Sequence, residues 1–104
     1  MVTLRWVDGT IALITLEDRA TKNRFSAALL DGLERAFFQA ETNPDTRVVM
    51  ITGYENYFCC GGTKEELLLL ASGQARFTDF SFYDRLLRCE CPVVAAMQGH
   101  AIGG

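Results

Sequence analysis

The sequence has one histidine, two prolines, no basic cluster and no apolar run near membrane length. Each shortage excludes something. A net charge of −3 without a Lys/Arg patch argues against general nucleic-acid affinity. No stretch approaches the roughly 20 apolar residues that a membrane-spanning helix needs. Residues 1–6 lack a basic region followed by an apolar core, so no secretory signal is expected. The four cysteines are the adjacent pair Cys59 and Cys60 and the Cys-x-Cys of Cys89 and Cys91. Neither spacing suits a disulfide framework or a zinc site, and the only histidine, His100, is not near a cysteine in sequence. Reduced thiols in a cytoplasmic protein are the plain expectation, with a nucleophilic cysteine as the minor alternative. What remains is a chain of 104 residues, 49% hydrophobic and 22% charged. That is the balance of a soluble globular protein about one small domain long.

Hydrophobic patterning orders the chain. Residues 3–7 and 10–16 read as two strands joined at Asp8-Gly9, a strong hairpin signal. Ile11, Leu13 and Thr15 are expected on the buried face of the second. Residues 17–24 are polar and irregular. Ser26 then reads as a helix N-cap, followed by Leu29, Leu30, Leu33, Ala36, Phe37 and Ala40 at helical spacing. Pro44 predicts the stop, because proline disfavours helical geometry in the residue before it. Residues 47–52 and 92–98 are continuous apolar runs, each expected to be a strand buried on both faces of a parallel sheet. Pro92 at the start of the second is tolerated there. Between them, residues 65–71 read as a helix, and Thr78 is expected to cap another running to Arg88, with Phe82, Tyr83, Leu86 and Leu87 on its apolar side.

Each apolar strand runs into a glycine-containing loop, residues 58–63 and 99–104. In open α/β sheets, ligands bind beyond the carboxyl ends of strands. Two backbone N–H groups from separate loops can converge on one oxygen, as an oxyanion hole requires. By spacing alone, ordinary strand-to-helix turns remain the alternative.

The loops also carry a resemblance. Phe58-Cys59-Cys60-Gly61-Gly62-Thr63-Lys64-Glu65 is similar to the Phe-x-Ala-Gly-Ala-Asp loop, followed by Lys-Glu, of the crotonase (enoyl-CoA hydratase/isomerase) superfamily. Pro92-Val93-Val94-Ala95-Ala96 and Gly99-His100-Ala101-Ile102-Gly103-Gly104 are similar to its Pro-Val-Ile-Ala-Ala strand and Gly-x-Ala-x-Gly-Gly-Gly loop. Residues 19–26, with Asn23, resemble the family's Asn-Ala-Leu/Phe-Ser segment. The resemblance implies a mixed α/β, crotonase-like ββα spiral core, of which residues 1–104 are the N-terminal part, truncated after the second loop. It implies Gly62 and Gly104 as the oxyanion-hole N–H donors. It also implies a thioester substrate on coenzyme A or an acyl carrier protein, no metal or other cofactor, and a homotrimer or hexamer at full length. The 104 residues alone are expected to be inactive and poorly folded.

The combination of residues 52–58, the Gly-Gly-Thr-Lys-Glu of residues 61–65, Phe77-Thr78-Asp79 and residues 95–100 narrows this further. It resembles the decarboxylating homologues of polyketide β-branching, which convert a 3-methylglutaconyl carrier-protein thioester into 3-methylcrotonyl. Thr63 stands where the family commonly has Asp. Arg76 stands where those decarboxylases have a lysine; arginine can bind a carboxylate bidentately but is a poor proton donor near neutral pH. Cys60, Gly61 and Thr63, with Tyr57 beside them and Tyr83 on the next helix, are the candidate substrate-binding residues. Tyr83 on an apolar face is also a natural core residue. Lys64 is expected on the surface, and Glu65 and Glu66 are expected to favour the dipole at a helix start. The alternatives are an enoyl-CoA hydratase or isomerase, or a non-catalytic thioester-binding domain.

Overall fold

A computed structural model of the protein describes residues 1–76 and 81–104, apart from the side chains of Ser81 and Tyr83. The Asp8-Gly9 turn forms as expected, with φ values of 54° and 73° that match a right-twisted hairpin. It joins β1 (Val2–Val7) to β2 (Ile11–Leu16), paired antiparallel from Val2 opposite Leu16 to Val7 opposite Ile11. The chain then crosses through α1 (Ala27–Thr42) to β3 (Val48–Thr52), which lies parallel to β2. Ser26 caps α1 by accepting the Leu29 N–H at 3.1 Å, and the helix ends at Asn43, before Pro44.

A short strand, β4 (Tyr57–Cys59), follows β3. Then come α2 (Lys64–Ser72), α3 (Ser81–Arg88), β5 (Val93–Ala96) and β6 (His100–Ala101). The main sheet runs β1-β2-β3-β5, and β4 pairs with β6 in a separate two-stranded ladder. Thr63 caps α2 by accepting the Glu66 N–H at 3.2 Å. The Thr78 cap position lies outside the described residues.

The core lies where α1 covers one sheet face. Leu29, Leu33, Ala36, Phe37 and Ala40 meet Ala12, Ile14 and Leu16 of β2 and Val49 and Ile51 of β3. Each large side chain buried there contributes about 1.5–3 kcal/mol. Four expectations need correction. In β2 the buried face carries Ala12, Ile14 and Leu16; Ile11, Leu13 and Thr15 point away from α1 and are half-buried. In β3 only Val49 and Ile51 are buried, so one face rather than two is closed. Among the described residues β5 has β3 as its one neighbour, and Val94 and Ala95, with Met97 just beyond the strand, are exposed. In α3, Phe82 is buried and Leu86 half-buried, but Leu87 is 86% exposed, while Arg85 faces α1. Arg85 ion-pairs there with Glu34 at 3.0 Å and Glu41 at 3.6 Å.

Candidate active site

The polar segment between β2 and α1 is built around Asn23. Its φ of 57° is left-handed, a conformation asparagine tolerates better than most residues. Its fully buried carboxamide accepts the Asp18 N–H at 2.8 Å and donates to the carbonyls of Leu16 at 2.9 Å and Phe58 at 3.1 Å. Its own carbonyl accepts the Cys60 N–H at 3.3 Å. Asp18, also buried, accepts the Thr21 hydroxyl at 2.7 Å. One side chain therefore ties the end of β2 to the first glycine loop. Two residues on, the Phe25 N–H donates to the Gly61 carbonyl at 2.8 Å, and Phe25 bridges Gly62 in parallel.

The second loop docks on the first. The His100 N–H donates to the Asn56 carbonyl at 2.7 Å, and the Ile102 N–H to the Cys59 carbonyl at 2.9 Å. This β4–β6 ladder was not anticipated; both segments read as loops because strands of two or three residues are too short to show a period. Gly61 has a φ of 80°, and a Cβ there would sit 3.0 Å from the Ile102 carbonyl oxygen, so the approach needs glycine. Gly104, with a φ of 38°, lies against the Phe25 ring, where a Cβ would fall 1.9 Å from Cε2. Phe25 thus touches both predicted donors, Gly62 through its backbone and Gly104 through its ring. Among the described residues, neither the Gly62 nor the Gly104 N–H has a hydrogen-bond partner.

Phe25 was missed in the sequence, although its place immediately before the Ser26 cap is where an apolar staple is common. Its ring lies 6.1 Å from that of Phe82, centroid to centroid. A cleft of about 620 Å³ opens beside them, lined by Phe25, Phe58, Cys59, Phe82, Gly103 and Gly104 among others. The remaining candidates lie elsewhere. Thr63 spends its hydroxyl on the α2 cap and borders a second depression of about 370 Å³ with Lys22, Arg24 and Lys64. Tyr57 stacks between Tyr54 and His100 at 5.5 Å and 5.7 Å, with the Lys22 ammonium over its ring at 5.4 Å. Cys60 is half-buried in the first loop, and Arg76 is exposed beyond α2. The Tyr83 side chain lies outside the described residues. Lys64 is exposed as expected, and Glu65 and Glu66 occupy the first turn of α2.

The four cysteines are free. Burial pushes the Cys59 thiol above its ordinary range, more than the Gly61 backbone hydrogen bond lowers it, and Cys60 adds to the rise. Since the thiolate is the nucleophile, Cys59 should alkylate more slowly than the half-buried Cys60 next to it. Timed iodoacetamide labelling of the folded full-length protein at pH 8, read by peptide mass spectrometry, measures this. Equal rates would mean that the loop opens readily.

Residues 7–104 match the family model for enoyl-CoA hydratase/isomerase. The chain belongs to that family. Among similar proteins is the bacillaene synthase decarboxylase PksI of Bacillus subtilis strain 168, 46% identical over all 104 residues and 42% of its own length. A solved structure of a dehydratase/decarboxylase enzyme couple involved in polyketide beta-branching matches with a TM-score of 0.92 and 46% identity, over 98% of this chain and 42% of that one. The ECH2 decarboxylase domain of CurF from Lyngbya majuscula matches with a TM-score of 0.81 and 34% identity, over 96% of this chain and 40% of that one. Probable enoyl-CoA hydratases of Mycobacterium tuberculosis match at 31% identity, over 93% of this chain. The chain therefore has the crotonase fold, is close to β-branching decarboxylases, and spans about two fifths of the length of these relatives.

Proposed function

We propose that the full-length protein decarboxylates a 3-methylglutaconyl-type thioester carried on an acyl carrier protein, through a dienolate held between Gly62 and Gly104. The observation that supports this reading is that the Gly62 and Gly104 N–H groups, one from each glycine loop, have no hydrogen-bond partner among the described residues, while Phe25 touches both glycines. Loss of CO₂ breaks the bond to the departing carbon, and its electron pair moves through the C=C bond onto the thioester oxygen. Donors waiting at that oxygen stabilise the charge as it develops, each by roughly 3–4 kcal/mol. Protonation of carbon then yields the 3-methylcrotonyl thioester.

Decarboxylation is favoured over hydration because identity to PksI is 46% against 31% for the hydratases, and because the loop residue Thr63 offers no carboxylate. The exposed Lys22, Arg24 and Lys64 around one depression suit the phosphate of a pantetheine arm. Free cysteines suit a cytoplasmic enzyme. Residues 1–104 would be the N-terminal part of one crotonase domain, trimeric or hexameric when whole.

Mass spectrometry of the full-length protein with 3-methylglutaconyl carrier protein tests the reading. Loss of CO₂ supports it, and gain of water without loss of CO₂ overturns it in favour of a hydratase. The coenzyme A thioester, run in parallel, should react more slowly. Although Arg76 does not line the cleft, it stands where the decarboxylases that the sequence resembles have a lysine, and on that resemblance it is assigned to the departing carboxylate. Arg76→Met should lower kcat by roughly 10- to 100-fold, as expected for one charge-assisted hydrogen bond, while Arg76→Lys keeps most of the rate. A wild-type rate in Arg76→Met would remove that role.

A further inference from the structure

The Gln98 side chain lies at the mouth of the second loop, and nothing in the proposed chemistry uses it. It is exposed, yet it is surrounded by hydrogen-bonding groups of the segment joining β3 to β4. Its Oε1 accepts the Gly53 N–H at 3.2 Å and lies 3.3 Å from the Thr52 hydroxyl. Its Nε2 donates to the carbonyls of Glu55 at 3.3 Å and Tyr57 at 3.1 Å. A carboxamide has two donors and two acceptor sites; both donors and one acceptor site are engaged by backbone groups here, and the Thr52 hydroxyl, which also reaches the Ala96 carbonyl at 3.1 Å, lies beside the other. Neither lysine, glutamate nor threonine could reproduce that set. The next residue, Gly99, is pressed on the same segment; a Cβ there would sit 2.2 Å from the Asn56 carbonyl carbon. One residue further, His100 begins the ladder with Asn56.

We infer that Gln98 is a positioning residue, a carboxamide clamp between the carboxyl ends of β3 and β5 that sets the distance between the two glycine loops. The role rests on the proposed oxyanion hole, because its consequence is the placement of Gly104 relative to Gly62. Exposed hydrogen bonds are readily replaced by water and add little to stability. Geometry is another matter, since a displacement of about 1 Å at reacting atoms can cost roughly 10²-fold in rate. The β4–β6 ladder also restrains the second loop, so the loss expected from removing the clamp is about tenfold, part of that range.

The test uses the full-length protein with Gln98→Met, which keeps length and volume, and Gln98→Glu, which loses both donated bonds. Both should lower kcat for the 3-methylglutaconyl carrier protein about tenfold, with KM and the melting temperature nearly unchanged. Amide exchange at His100 and Ile102 should be faster in both. A wild-type kcat in Gln98→Met, or a loss of kcat matched by a collapse in melting temperature, overturns the inference while the decarboxylase reading stands. If the wild-type protein does not decarboxylate, that reading fails by itself. The clamp is then decided by exchange alone: faster exchange in Gln98→Met supports it, and unchanged exchange overturns it.

Discussion

Gly104→Ala in the full-length protein should lower kcat for decarboxylation by roughly 10²-fold, whereas Gly62→Ala should change it by less than about threefold. Both variants keep their N–H, so the contrast comes from space and backbone. At Gly62 a Cβ would meet the end of the flexible, exposed Leu67 side chain, at 3.3 Å from Cδ2, and the φ is not left-handed. The family loop that residues 58–63 resemble carries alanine at that position. At Gly104 the φ of 38° is already strained for any other residue. A Cβ would also overlap the Phe25 ring. That ring is 8% exposed, packed against Phe82, and its backbone bridges Gly62, so moving it disturbs the other donor as well. Single-turnover assays at saturating thioester would separate the two variants. Equal rates in both would remove Gly104 from the proposed site.

Asn23→Leu should cost at least about 4 kcal/mol of stability. It leaves the Asp18 N–H and the Leu16 and Phe58 carbonyls without the partners they have now. An unmet buried polar group costs about 1–3 kcal/mol. A leucine at a φ of 57° adds about 1–2 kcal/mol. Asn23→Gly relieves the second penalty but not the first, so it should be milder. Urea unfolding of the two variants beside wild type would show the ordering as shifts in midpoint at constant slope. If Asn23→Leu unfolds within about 1 kcal/mol of wild type, those hydrogen bonds are replaced by water and the loop is not held as described.

Much of the fold could be read because local chemistry settles it. Asp8-Gly9 demands a tight hairpin turn. Ser26 and Pro44 bound α1, whose apolar spacing then fixes its buried face. Burial of the strands was harder to read, since an apolar run does not say which strand is central. β5 has the Val-Val-Ala character of an interior strand, and among the described residues it pairs with β3 alone, because a strand's second neighbour is supplied by distant segments. Leu87 misled as well: Phe82 and Leu86 pack on the core, whereas Leu87 borders the cleft beside Phe25.

The candidate site divides in the same way. Sequence by itself determined the two glycine loops, since glycine spacing and strand endings are local properties of the chain, and the family resemblance those loops carry implied Gly62 and Gly104 as the residues to watch. Only tertiary structure decided that residues 57–59 and 100–101 are joined by a short parallel ladder, with Phe25 touching Gly62 through its backbone and Gly104 through its ring. It also decided that Asn23 and Gln98 hold those loops through their carboxamides. The physical reason is sequence separation. Asn23 meets Phe58 across 35 residues and Gln98 meets Tyr57 across 41, and a hydrogen bond closed over that distance leaves no periodic trace in the segments it joins.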